Sequence, residues 1–215
     1  MNVKFQFCFL AVLLISAGAK AQMPAEQVDK DSGASRNWSF SFTADGYLVP
    51  DDSSYGSIAF SADHKLLHLE TRYNYEDLQT GSAWVGCNFE AGEKLKLEAT
   101  PMVGSIFGNT TGVAPGYEVS LTYKRLDVST EGEFVFDTRD SSGSFFYSWA
   151  ELGFSPKDWL RMGLAAQHTK VYHTGLDTQR GFFAGVSHRK VDFATYVFNL
   201  GWTDPTVVLQ VGVSF

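Results

Sequence analysis

The side chains best equipped for chemistry in this sequence are five histidines and a scattering of carboxylates, and spacing decides what they can do. His68, Glu70 and Arg72 stand at alternate positions, which puts all three on one face of an extended strand. Alternate strand residues lie about 6.5–7 Å apart at a rise near 3.3 Å. That separation is too long for direct His–Glu contact along the strand, and it favours an ion ladder over a general-base site. Asp63-His64 is the only Asp-His dipeptide, and it reads as part of a hydrated turn. Asp51-Asp52-Ser53-Ser54 reads as a solvated acidic loop rather than a Ca²⁺ site. No Cys pair and no His pair at i, i+2 or i, i+4 within one strand offers metal spacing, since His64 and His68 straddle a turn. Without a Gly-rich phosphate loop either, the expectation is no catalytic residue, no cofactor and no metal centre.

The elements that carry these residues alternate with period two. Val207, Leu209, Val211, Val213 and Phe215 share one face of the last segment; Thr206, Val208, Gln210, Gly212 and Ser214 share the other. Tyr117, Val119, Leu121 and Tyr123 alternate with Glu118, Ser120, Thr122 and Lys124, and Leu67, Leu69, Thr71, Tyr73 and Tyr75 with His68, Glu70, Arg72, Asn74 and Glu76. Such alternation predicts strands with one apolar and one polar face. Composition agrees: of 215 residues 15% are aromatic, only 19% are charged, and there are 20 Gly but 6 Pro. A net charge of −7 argues against nucleic-acid binding.

Residues 1–21 (MNVKFQFCFLAVLLISAGAKA) have a basic start, an apolar stretch and a small-x-small end, the pattern of a cleaved signal peptide. Their removal deletes Lys4 and Lys20 and no acid, so the remaining chain carries −9. Residues 22–36 are polar and without period, and read as a flexible periplasmic tail; residues 37–215 form the folded body. With Cys87 the one cysteine left, no internal disulfide can form.

An exported chain of alternating strands that ends on Phe215, after Val211 and Val213, resembles the C-terminal assembly signal of Gram-negative outer-membrane β-barrel proteins. Aromatic residues near the strand ends (Trp38, Tyr55, Tyr73, Tyr75, Tyr117, Tyr123, Trp159, Trp202) fit the interfacial girdles of such barrels. The resemblance implies a cell outer-membrane location, lipid on the apolar face, and insertion by the barrel-assembly machinery through the C-terminal strand, with a monomer as the default. Outer-membrane phospholipase A and the lipid A deacylase carry His-x-Ser on one strand, and none of the five histidines here has Ser two positions on. The omptin proteases use an Asp-His pair at the outer rim, whereas Asp63-His64 falls in an inner turn.

Barrels of this class have even strand numbers, short periplasmic turns and longer outer loops. The sequence predicts a transmembrane antiparallel up-and-down β-barrel of about twelve strands, with ten as the alternative. Its inner turns fall at 62–64, 91–93, 127–131, 155–157 and 189–190. The polar faces then list the candidates for lining the lumen: His68, Glu70, Arg72, Asn88, Lys96, Glu98, Glu118, Lys124, Glu133, Asp137, Glu151, Arg161, Gln167 and Gln210. Hairpin registers set Lys124 opposite Glu133 and Asn88 opposite Lys96, with Arg161 diagonal to Glu151. Two readings stay open: an ion network that fills the barrel, and a small channel that favours cations. A barrel whose outer loops bind a partner is the alternative role, and a lipid-modifying hydrolase the weaker one. A small solute or ion is the expected ligand.

Overall fold

A strand with unlike faces can satisfy both in a sheet that closes on itself, which also removes the unpaired edges. The computed structural model describes residues 38–49, 53–171, 177–201 and 205–215 and shows that closure. The segments expected to be signal peptide and tail (1–36) lie outside the described residues.

Thirteen strand segments follow in order: β1 (Ser39–Leu48), β2 (Tyr55–His64), β3 (Leu67–Tyr73), β4 (Thr80–Cys87), β5 (Phe89–Ala91), β6 (Leu95–Gly108), β7 (Gly112–Tyr123), β8 (Leu126–Asp137), β9 (Phe145–Lys157), β10 (Leu160–Val171), β11 (Asp177–His188), β12 (Val191–Phe198) and β13 (Thr206–Ser214). One short 3₁₀ turn, Ser141–Gly143, sits between β8 and β9. β4 and β5 are two parts of one barrel strand interrupted at Asn88. β4 pairs with β6 as far as Gly86↔Met102, and β5 resumes the same edge at Phe89↔Ala99. β1 closes on β13 from Leu48↔Val207 to Ser41↔Ser214. The barrel therefore has twelve antiparallel strands, and the ten-strand alternative falls away. Phe215 finishes the seam: its backbone N–H and C=O exchange 2.9 Å hydrogen bonds with Phe40, and the two rings stack.

The outer wall is apolar. Ile58, Phe60, Leu97, Phe107, Phe136, Leu152, Leu164, Phe182, Phe193 and Leu209 are all exposed, while Trp84, Tyr196, Phe198 and Arg161 are among the most buried side chains. This inverts the arrangement of a water-soluble barrel and matches a wall solvated by lipid. Trp38, Tyr73, Tyr123 and Trp159 lie exposed near strand ends, but two of the predicted girdle residues turn inward. Tyr55 stacks on Tyr47 at 4.6 Å, and Tyr75 meets Tyr147 edge-on. Trp202 lies outside the described residues.

At one end of the barrel the strands are joined by tight turns, at Lys65-Leu66, Lys124-Arg125, Asp158-Trp159 and Arg189-Lys190, with a three-residue turn at 92–94. Lys65, Lys124 and Arg189 adopt left-handed backbone conformations, with φ of 55°, 57° and 58°. The other end carries the longer loops. The turn predicted at 127–131 is corrected to Lys124-Arg125, and those at 62–64 and 155–157 to 65–66 and 158–159. Asp127, Ser129 and Glu131 are polar because they point into the barrel from β8, not because the chain turns there. Lys124 is accordingly exposed in the turn, its ammonium over the Tyr123 ring. Glu133 instead pairs in register with Gly116 and Tyr147.

Candidate functional site: the barrel lumen

Each lumen position follows from strand parity, and glycines decide how closely large side chains can lie against the wall. Trp84 is fully buried on β4 and covers Gly104 and Gly116 of the next two strands. A Cβ on Gly104 would stand 2.2 Å from its indole and one on Gly116 2.6 Å. Trp84 joins Met102, Ile106, Ala114, Val135 and Phe145 in one apolar cluster. Tyr47, Trp149, Phe183, Tyr196, Phe198 and Val208 belong to another. Both clusters lie toward the long-loop end of the barrel and pack side chains into the lumen there.

Two arginines tie the filling together. Arg72 reaches 61 residues along the chain to Glu133 (Nη1–Oε2 2.9 Å) and also contacts Glu70 at 3.3 Å and Glu76 at 3.5 Å. Its guanidinium lies over the Tyr75 ring at 4.1 Å and the Trp84 ring at 4.8 Å. Glu76 accepts from Ser82 Oγ and Trp84 Nε1, and Tyr75 donates its hydroxyl to Glu131. The loop segment 74–79 is thus folded into the barrel mouth and held there by charge. Arg161, 1% exposed, donates Nη1 to Glu151 at 2.6 Å and its other nitrogens to Asp127, with Phe183 beneath it at 4.5 Å. Glu151 also accepts from Trp149 Nε1 and the Tyr196 hydroxyl, both at 2.9 Å. Charges taken from water in this way need both a partner and hydrogen bonds.

The other half of the lumen holds a cavity of about 610 Å³. It runs from Ser39, Lys65 and Glu90 at the short-turn rim to a ceiling of Tyr47, Tyr75, Tyr147 and Trp149, and acids dominate its wall: Asp45, Asp63, Glu98, Glu118, Glu131 and Glu151. His68 lines it too, with Nδ1 2.6 Å from Asp63 Oδ1. A carboxylate can only accept here, so Nδ1 carries the hydrogen. His68 Nε2 and Glu70 Oε2 come to 3.7 Å, because both side chains lean along the strand.

The remaining predicted positions sort as follows. Lys96 pairs with Glu98 at 2.5 Å. Asn88 does not face Lys96: it donates to Asp63 at 2.8 Å and accepts from Thr100 at 2.7 Å, because the break between β4 and β5 shifts its register. Glu118 stands on β7 opposite Thr100. Gln210 accepts from Tyr196 at 3.3 Å, and Gln167 shares the face of β10 that holds Arg161. Asp137 works at the loop end, accepting the backbone N–H groups of Arg139 and Asp140. In that exposed loop, Asp140 caps the 3₁₀ turn, and its hydrogen bonds from Ser142 hold its carboxyl below the usual range. Asp45, Asp63, Glu76, Asp127 and Glu131 were absent from the sequence-derived list. Strand parity could have found Asp127 and Glu131, whereas Glu76, which the alternation carried along as part of β3, enters from the loop after that strand has ended at Tyr73.

No protein-family model matches the chain, and no curated protein sequence matches it. Among solved structures it is similar to a KdgM porin, with a TM-score of 0.59 and 11% identity over 81% of this chain and 99% of that one. It is likewise similar to a KdgM porin in complex with disordered oligogalacturonate, with a TM-score of 0.55 and 11% identity over 81% of this chain and 98% of that one. At that identity the likeness is one of architecture: the chain has the closed antiparallel barrel fold of outer-membrane porins.

Proposed function

We propose that this chain is exported, inserted into the outer membrane through its C-terminal strand, and serves there as a porin-like path for small cationic solutes. The short turns face the periplasm and the loop end faces outward. The observation that carries the reading is the acid-lined cavity, open toward the short-turn rim and stopped at the loop end by Tyr75 and its Arg72 network. An acidic low-dielectric passage concentrates cations and excludes anions. Oligogalacturonate, found with the second similar porin, is a polyanion, and these walls would repel it. The shared fold therefore supports a channel while the charge points to a different solute.

Planar-bilayer recording tests this. Wild-type barrel in a KCl gradient is expected to give small cation-selective events, and Tyr75→Ala larger ones. Combining Glu98→Gln with Glu118→Gln should move the reversal potential toward zero. A barrel that folds yet conducts in neither form overturns the channel, and an anion preference overturns the charge argument.

A further inference from the structure

We infer that His68, Glu70 and Glu118 form a binding site for one first-row divalent transition-metal ion, with Asp63 positioning the histidine. One ligand atom from each of the three lies within 4.8 Å of the other two. Three ligands of a tetrahedral Zn²⁺ at about 2.0–2.1 Å stand about 3.3–3.4 Å apart. The 3.7 Å between His68 Nε2 and Glu70 Oε2 is close to that already, and Glu118 has the side-chain length to close the remainder.

Those two atoms are what point to a ligand. His68 and Glu70 are 3% and 2% exposed, yet neither Nε2 nor Oε2 makes a hydrogen bond. Buried polar atoms left so are rare and ask for a reason. The rest of each side chain is fixed: Glu70 accepts from Arg72 Nε at Oε1 and turns Oε2 toward His68, while His68 donates Nδ1–H to Asp63. A carboxylate on one imidazole nitrogen, with the other aimed at carboxylate oxygens, is the carboxylate–histidine arrangement that orients metal-bound histidines and raises their basicity. Gly86 pairs with His68 in register and presents no side chain, so Thr100, the register partner of Glu118, packs close over it and only short side chains separate the imidazole from the β7 carboxylate. His68 and Glu118 both line the cavity, which leaves coordination positions open to water or solute. An imidazole with two carboxylates suits Zn²⁺, Fe²⁺, Co²⁺ or Ni²⁺ better than Ca²⁺ or Mg²⁺. The site concerns binding and stands whether or not the barrel conducts.

The test uses untagged full-length barrel, refolded in detergent, stripped with chelator and titrated with Co²⁺. One ion per barrel is expected, with visible ligand-field absorption that Zn²⁺ displaces. His68→Ala and Glu118→Gln should abolish the band, Asp63→Asn should weaken binding about 10–100-fold, and Asp192→Asn, on the far side of the barrel, should leave it intact. The mobility shift between unboiled and boiled samples on SDS gels confirms that each variant is folded. Absence of one-to-one binding by folded wild type overturns the site, as does a band that survives in folded His68→Ala and Glu118→Gln. In the first case the residues would be a protein-only ion pair.

Discussion

Removing the Arg161 side chain should cost the barrel more than any other single lumen substitution on its side. The guanidinium is 1% exposed and joins two carboxylates, Glu151 and Asp127, that no other cation among the described residues pairs with. Taking one member from a buried ion pair costs about 3–5 kcal/mol, because the other charge stays buried without compensation. The lower end applies, near 3 kcal/mol, since Asp127 is 8% exposed and Glu151 keeps its hydrogen bonds from Trp149 and Tyr196. Lost contact with the Phe183 face adds about 0.5–1 kcal/mol. Arg161→Met, unfolded by urea in phospholipid vesicles and followed by tryptophan fluorescence, should show that loss. Arg161→Lys should fall between, since an ammonium cannot bridge both carboxylates with a planar fork. Arg161→Met combined with Asp127→Asn and Glu151→Gln should return to within about 1 kcal/mol of wild type, because neutral groups need no counter-charge. If Arg161→Met alone costs less than about 0.5 kcal/mol, or the triple variant simply sums its singles, the guanidinium does not hold the two carboxylates in place.

Two further substitutions probe the wall. Gly104→Ala would drive a methyl into the Trp84 indole and should destabilise by about 1–3 kcal/mol through overpacking, with a change in tryptophan emission; an unchanged spectrum and midpoint would show that Trp84 does not depend on Gly104. At the turn, Lys124 holds φ of 57°, so Lys124→Val should cost about 1–2 kcal/mol in the same urea assay, whereas Lys124→Asn should be neutral or better; equal stability of the two would remove the conformational explanation.

How much could be read in advance depended on whether a residue's partner lay on the same or the next strand. Alternation along β13 or β3 is local, and it placed the strands and the lipid face. Arg161 and Glu151 are ten residues apart on adjacent strands, so hairpin geometry alone brings them together. Arg72 and Glu133 meet across the lumen, and His68 and Glu118 bring ligand atoms within 4.8 Å from β3 and β7; strand parity says only that all four point inward. The turns failed for a related reason. Asp127-Val-Ser-Thr-Glu131 has the composition of a loop, yet a lumen-facing strand is polar for the same reason a loop is: both meet water or charge. The true turn, Lys124-Arg125, has no Gly, Pro or Asn to announce it. Its left-handed lysine is tolerated because pairing of β7 with β8 fixes the hairpin from both sides. The same ambiguity hid the infolded loop at Tyr75, whose alternation with Tyr73 suggested one more outward-facing residue on a strand that had already ended. Polarity therefore reports contact with water or charge, and only the closed barrel determines whether that contact is outside the strands or within them.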